Sequence, residues 1–209
     1  MSTAAGNRLH HGRPIFLVRH GETTWNRAGR LQGQRDAPLT ALGVAQARAA
    51  GRTLRHLLES EHPACLMVSP LGRARRSAEL LLESLTPLVD HFAVDDRLKE
   101  ISWGELEGLN RAEVKAKAPY FWRQRAIDRW MLTAPGGESY ASLSARLQPV
   151  LDELLTFERP AVVVAHGGVR RALRGLYGDL VPAETLALEE PHDVIVRLQA
   201  GTMTTLTIE

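Results

Sequence analysis

The sequence predicts an α/β protein, with helices layered against a mostly parallel central sheet. Three observations lead there. Two apolar, β-branched runs, Leu17-Val18-Arg19-His20-Gly21 and Val163-Val164-Ala165-His166-Gly167, each stop abruptly at His-Gly. A short apolar run closed by glycine reads as a buried strand and a sharp turn. Amphipathic helical segments alternate with such runs, as in a chain that builds a parallel sheet. Finally, two alternating segments flank Ala200-Gly201 and read as a terminal hairpin.

Taken in order, Ile15 to His20 is a central strand and Gly21 to Leu39 a loop rich in Gly, Asn, Gln and Asp. Thr40 is placed to cap a helix running to about Glu59, with Leu42, Ala45, Ala49 and Leu57 on one face. Cys65 to Ser69 is a second strand. Ser69-Pro70 then offers a cap and a first helical position for a helix to about Leu85. Phe92 to Leu98 reads as a short extended piece before a loop at Glu100 to Gly108. Asn110 to Trp130 is helical in composition, broken at Pro119, with Pro135-Gly136-Gly137 ending the segment. Ser139 to Phe157 is an amphipathic helix, Ala161 to His166 the second buried strand, and Val169 to Tyr177 the helix after it. Val194 to Leu198 and Met203 to Ile208 form the hairpin, which adds antiparallel strands. No repeat or linker divides the chain. The expected organisation is a loose tail over 1–13 and one domain over 14–209, with about 103–137 as an excursion covering a pocket.

Bulk properties exclude several classes. The chain has 209 residues, 44% hydrophobic and 24% charged, and a formal charge of only +2 despite a pI near 9.0. The basic residues are scattered, so nucleic acid is not an expected partner. No apolar run approaches the roughly 18 residues of a membrane helix. Met1 to Pro14 lacks the apolar stretch of a signal peptide. The single cysteine, Cys65, excludes an internal disulfide and reads as a buried small hydrophobe. Together these point to the cytoplasm. The expected partner is a small-molecule phosphate ester, and the expected state monomer or homodimer.

In open α/β sheets, ligands bind beyond the C-terminal strand ends. Several chain segments converge on that edge. Arg19 and His20 end the first strand and Asn26 lies in the loop after it. Arg73 falls in the first turn after the second strand, Glu100 in the loop after the extended piece, and His166 at the end of the last central strand. Two arginines, an amide, two imidazoles and helix N-termini make a site for a compact oxyanion. Guanidinium matches phosphate in bidentate geometry, and helix N-termini donate free N–H groups. Gly21 and Gly167 let the backbone approach closely. Such a site suits phosphoryl transfer: a neutral imidazole can attack phosphorus, and Glu100 can supply a proton and later activate water, provided its carboxyl holds a proton near neutral pH. The arginines supply the positive charge that a metal ion otherwise provides, so no metal and no cofactor is expected.

The run Leu17-Val18-Arg19-His20-Gly21-Glu22-Thr23-Thr24-Trp25-Asn26 resembles the signature of the histidine phosphatase superfamily, the phosphoglycerate mutase-like proteins. The likeness continues through Gly33 to Thr40, Ser69 to Ala74, Leu98-Lys99-Glu100, Gly136-Gly137-Glu138-Ser139 and Ala165-His166-Gly167-Gly168, nearly the whole chain from Ile15 onward. The resemblance implies a three-layer α/β/α sandwich and metal-independent chemistry. It makes His20 the residue phosphorylated in turnover and Glu100 the acid/base, with His166 alongside. Arg19, Asn26, Arg73, His166 and Gly167 would hold the phosphoryl group. Thr23, Gln32, Gly33, Trp103 and Arg111 would border the substrate.

The resemblance leaves phosphatase and mutase to be separated. Asn110-Arg111-Ala112-Glu113 is similar to a mutase stretch, but Pro119 to Glu138 lacks the longer mutase insertion, and Gly-Gly-Glu-Ser is typical of phosphatases. The expected activity is therefore a phosphomonoester hydrolase. The alternatives are a 2,3-bisphosphoglycerate-dependent phosphoglycerate mutase and a non-catalytic phosphate-binding module. Arg123, Arg125 and Arg129 are candidates to meet a charged substrate. A metal site on His20, Glu22, Glu100 and His166 would use suitable ligands but would put Arg19 and Arg73 beside the cation. His10, His11, His56 and His62 fall outside any site.

Overall fold

The computed structural model describes residues 12–58 and 64–209. The expected helix end at Glu59, most of the tail, and His10, His11 and His62 lie outside them. Six strands form one sheet: β1 (Ile15–Arg19), β2 (Cys65–Val68), β3 (Ala93–Val94), β4 (Ala161–Ala165), β5 (Val194–Gln199) and β6 (Thr202–Thr207), in the order β3-β2-β4-β1-β5-β6. The first four run parallel, and β5 and β6 antiparallel to their neighbours. The predicted α/β sandwich with a mostly parallel sheet is what forms.

Strand side chains alternate between two cores. Phe16, Val18, Val162 and Val164 pack with Leu54, Leu58, Leu81 and Leu85 of α2 (Ala41–Leu58) and α3 (Gly72–Leu85). Leu17, Val163 and Val196 face the other way, against Leu143, Leu147 and Leu173 of α6 (Tyr140–Leu155) and α7 (Gly167–Tyr177). Two helical layers on opposite sheet faces make the three-layer arrangement. Thr40 caps α2 as expected, its hydroxyl accepting from the Gly43 N–H at 3.0 Å.

Several boundaries moved. The loop after β1 contains a short helix, α1 (Thr24–Arg27), capped reciprocally by Thr23 and Asn26. Ser69-Pro70 does not open α3, whose N-cap is Leu71. The Ser69 hydroxyl is held by His166 instead, and Asp36 from a distant loop accepts from the Gly72 and Arg73 N–H groups. Only Ala93–Val94 of the extended piece is strand, because Asp95 caps a 3₁₀ turn at Asp96–Leu98. The helical stretch breaks before Pro119 as predicted, into α4 (Arg111–Lys117) and α5 (Pro119–Ile127). It ends short of Trp130, because the Asp128 carboxylate accepts from the Trp130 and Met131 N–H groups and turns the chain. Helix α7 starts two residues before the predicted Val169, directly after His166, and α8 (Pro182–Ala187) had no clear sequence signal. Cys65 is half-buried at the start of β2 rather than sealed in the core. Leu106, Val114, Phe121 and Ala134 make a third, small core within the excursion. No helix among the described residues is long and apolar enough to cross a membrane.

Candidate active site

The parallel pairing of β1 and β4 puts Arg19 level with Ala165. The next residues, His20 and His166, therefore emerge side by side, with ring centroids 5.2 Å apart. Both are fully buried. The His20 Nδ1 lies 2.8 Å from the Gly21 carbonyl, which can only accept, so Nδ1 carries the proton. Nε2 is left as an unprotonated nitrogen, and Arg73 Nε donates to it at 3.2 Å. Burial, then the neighbouring His166, Arg73 and Arg19, hold the His20 pKa well below its usual value. Burial and the two arginines do the same to His166. Both imidazoles are thus neutral at pH 7.

Arg73 is fully buried at the start of α3. Its Nη1 donates to the Arg35 carbonyl at 2.8 Å and to Asp36 at 2.9 Å, and its Nη2 to the Gly33 carbonyl at 2.7 Å. The guanidinium is locked with Nε aimed at His20. Arg19 Nη1 donates to the Glu190 carbonyl, while its buried Nε has no partner among the described residues. The His166 Nδ1 and Gln32 Nε2 are buried and unpartnered as well. Orphaned buried polar atoms are rare in folded proteins. Three at one sheet edge mark a place built to receive a polar group.

The Glu100 carboxylate is held by backbone N–H groups, Ile101 at 2.9 Å and Gly168 at 3.1 Å. A Cβ on Gly168 would sit 2.4 Å from Glu100 Oε1, so only glycine lets this carboxylate reach the start of α7. Glu107 knits the adjoining loops by accepting from the Gln34, Arg35 and Trp103 N–H groups. A Cβ on Gly33, where φ is +57°, would strike that same carboxylate.

The structure brings together Arg19, His20, Arg73, Glu100 and His166. Thr23 is fully buried and its hydroxyl lies within reach of Asn26 Oδ1 and Gln32 Oε1, so it holds these two residues rather than facing a pocket. Asn26 spends its amide oxygen capping α1 and keeps only its amide nitrogen for a ligand. Gly167 packs beneath Arg19, a Cβ there coming 3.4 Å from Nε. Arg111 lies apart, stacked on Trp122. The metal-ligand alternative does not assemble. Glu22 is taken up by Arg27 and Thr40, and the described residues hold no group of three or more His, Cys, Asp or Glu suited to a metal.

Sequence reasoning missed His192 and Glu190. The His192 Nδ1 donates to the His20 carbonyl at 2.8 Å, and its ring lies 5.5 Å from that of His20. Burial, chiefly, with Arg19 nearby, lowers its pKa to about 4. The Glu190 carboxylate accepts from Arg170 Nε and Arg174 Nη1 while its carbonyl holds Arg19. Arg170, fully buried, also donates to the Pro191 and Val194 carbonyls and pins the segment. Because β5 is antiparallel, the residues before it lie beside the residues after β1. Neither carries a motif that would have revealed this.

This fold and site define an enzyme class that handles phosphate compounds, and the comparisons agree. Residues 15–203 match the model of the histidine phosphatase superfamily (branch 1). A 2,3-bisphosphoglycerate-dependent phosphoglycerate mutase of Methylobacterium sp. (strain 4-46) is 34% identical over 91% of this chain and 93% of its own. A glucosyl-3-phosphoglycerate phosphatase of Mycobacterium tuberculosis is 39% identical over 77% of this chain and 73% of its own. A 6-phosphofructo-2-kinase/fructose-2,6-bisphosphatase of Arabidopsis thaliana is 33% identical over 90% of this chain, which spans only 24% of that relative. The structure of a mycobacterial glucosyl-3-phosphoglycerate phosphatase with VO3 superposes with a TM-score of 0.75 at 32% identity, covering 93% of this chain and 96% of that one. The chain belongs to the histidine phosphatase superfamily, branch 1. The expectation of a phosphatase-type enzyme of this superfamily stands at that level.

Proposed function

We propose that this protein hydrolyses phosphomonoesters through a phosphohistidine on His20. The observation that carries the proposal is the neutral His20 imidazole, its Nε2 unprotonated, set between Arg73 and His166 and beside the unpartnered donor Arg19 Nε. Arg19, Arg73, His166, the Asn26 amide nitrogen and the N-terminal turn of α7 at Gly167 would hold the phosphoryl oxygens. In the first step His20 Nε2 attacks phosphorus and the bond to the ester oxygen breaks. Glu100 gives that oxygen its proton, so a neutral alcohol leaves. In the second, Glu100 takes a proton from water, whose oxygen attacks the phosphohistidine, releasing phosphate and restoring His20.

The Glu100 carboxyl group accepts two backbone hydrogen bonds, which fix its position at the start of α7. The arginines neutralise the developing charge, and no step calls on a metal ion. In this proposal Gln32, Gly33 and Trp103 border the substrate, and the excursion over about 103–137 covers the pocket of a single domain.

The test is hydrolysis of a phosphomonoester panel with a strong chelator present, with acid-quench trapping of the phosphoenzyme. Chelator-resistant release and a phosphohistidine absent from His20→Ala are expected. A His20→Ala rate within about tenfold of wild type would refute the role of His20. The mutase relative makes a parallel assay necessary: 3-phosphoglycerate isomerised in the presence of 2,3-bisphosphoglycerate, without phosphate release, would assign the mutase reaction instead.

A further inference from the structure

Arg19 takes one half of Glu190 and not the other. Its Nη1 donates to the main-chain carbonyl of Glu190, while the buried carboxylate of that residue goes elsewhere. Arg170 Nε donates to one carboxylate oxygen and Arg174 Nη1 to the other, the latter at 2.8 Å. Arg73, Arg146 and Arg170 each meet an acid. Among the described residues no carboxylate pairs with Arg19, and its buried Nε has no partner at all.

The other pairing is close at hand. A Cβ on Gly167 would lie 3.4 Å from Arg19 Nε and 3.6 Å from Glu190 Cβ, so the guanidinium and the stem of Glu190 rest against the same glycine. Glu190 is also among the charges that Arg19 feels. A buried carboxylate surrounded by three guanidinium groups pairs with those that geometry brings nearest. Helix α7 decides which. Arg170 and Arg174 stand one turn apart on it and both reach the segment before β5. Arg170 donates to the Pro191 carbonyl at 2.6 Å and the Val194 carbonyl at 2.9 Å, and Arg174 to the Glu189 carbonyl at 2.8 Å. Arg171 adds two bonds to the Leu188 carbonyl, at 3.0 and 2.9 Å. These bonds fix the segment with the Glu190 carboxylate towards α7 and its carbonyl towards Arg19.

We propose that Arg170 and Arg174 are positioning residues that keep the Glu190 carboxylate off Arg19, so that a phosphoryl group and not an internal acid neutralises that guanidinium. A carbonyl orients the guanidinium without cancelling its charge. Burial, chiefly, lowers the Arg19 pKa to about 10, so the cation persists at pH 7. A cation drawn out of water with no counter-ion is unfavourable, and an arriving oxyanion relieves this. A carboxylate on Arg19 would be a built-in competitor, because an ionised acceptor binds a guanidinium more strongly than a carbonyl does. This rests on the reading that Arg19 holds the phosphoryl group, and adds to it the residues that keep Arg19 ready.

The test is affinity for inorganic phosphate, measured by calorimetric titration, which needs no turnover. Arg170→Met frees the Glu190 carboxylate to turn to Arg19, and phosphate should bind at least about tenfold more weakly. Adding Glu190→Gln removes the competing charge and keeps the carbonyl, and should restore the affinity to within about threefold of wild type. An arginine that only braced the segment would give no rescue, and the double variant would bind as weakly as the single one. A dissociation constant refers to folded molecules alone, so lost stability does not imitate either result. Should Arg170→Met fail to fold, Arg174→Met with and without Glu190→Gln repeats the comparison at a less buried arginine.

Phosphate affinity unchanged in the single variant, or weakened equally in single and double variants, overturns the proposal. Hydrolysis of phosphate esters by wild type, followed in parallel, separates this inference from the one it rests on. Loss and rescue of phosphate binding without any hydrolysis would sustain the shielding of Arg19 and sink the phosphatase reading. Hydrolysis without the rescue would do the reverse.

Discussion

Acid should unfold this protein through its buried histidines. Burial and nearby cations hold His20 and His166 well below their usual pKa, and lower His192 to about 4. The unfolded chain binds protons at these imidazoles near pH 6.5, so it takes up protons that the folded chain refuses. Stability is complete above about 6.5 and falls as pH drops from there towards each folded-state pKa. One such histidine changes the unfolding free energy by about 1.4 kcal/mol per pH unit in that window. His192 alone gives about 3 kcal/mol between its two values, and His20 and His166 act in the same direction. Against a domain stability of about 5–15 kcal/mol, a move from pH 6.5 to 5 removes a large fraction, before most carboxylates begin to titrate. Urea unfolding at pH 7.5, 6.5, 5.75 and 5, for wild type and His192→Gln, measures the slope. The variant should show a shallower slope. A total change under about 1 kcal/mol across the window, or an unchanged slope in the variant, would refute the assignment of neutral buried imidazoles.

Three further outcomes follow from the geometry. Glu100→Gln should slow hydrolysis of alkyl phosphates by roughly 10²–10⁴-fold and that of nitrophenyl phosphate much less, since its leaving oxygen hardly needs a proton; equal losses would deny Glu100 the donor role. Gly168→Ala, whose Cβ would intrude to 2.4 Å of Glu100 Oε1, should reproduce that leaving-group dependence with the nucleophile untouched; phosphoenzyme trapping and a two-substrate comparison check it. Arg170→Met leaves the Glu190 carboxylate buried without its best partner and should cost about 3–5 kcal/mol of stability; a midpoint unchanged in thermal unfolding would mean that segment 190–194 is held by other contacts.

Much of the site was legible because it obeys a local rule. A parallel strand ending in His-Gly delivers its histidine to the C-terminal edge, and two such strands paired in register deliver both histidines to one place. Arg73 and Glu100 followed from the same rule, being in the first turn or loop after neighbouring strands. The roles of Asp36 and Glu107, and the presence of Glu190 and His192 at the site, were not legible. Asp36 and Glu107 reach the site across loops far apart in sequence, and a carboxylate that binds backbone N–H groups carries no periodicity. Ser69 was misassigned because its cap-like position before Pro70 is a local signal, whereas its partner His166 is a tertiary one.

Sequence alone pointed to the layers, the mostly parallel sheet and the candidate residues at its C-terminal edge, since apolar periodicity and glycine placement act over a few residues. Tertiary structure decided the protonation and aim of those groups. His20 is a neutral imidazole with an unprotonated Nε2 because its Nδ1–H donates to the Gly21 carbonyl, burial disfavours the charged form and Arg73 Nε donates to Nε2. The antiparallel β5 likewise decided that residues 190–192 stand behind Arg19 and His20, because reversing one strand brings the segment before it to the edge where the others end.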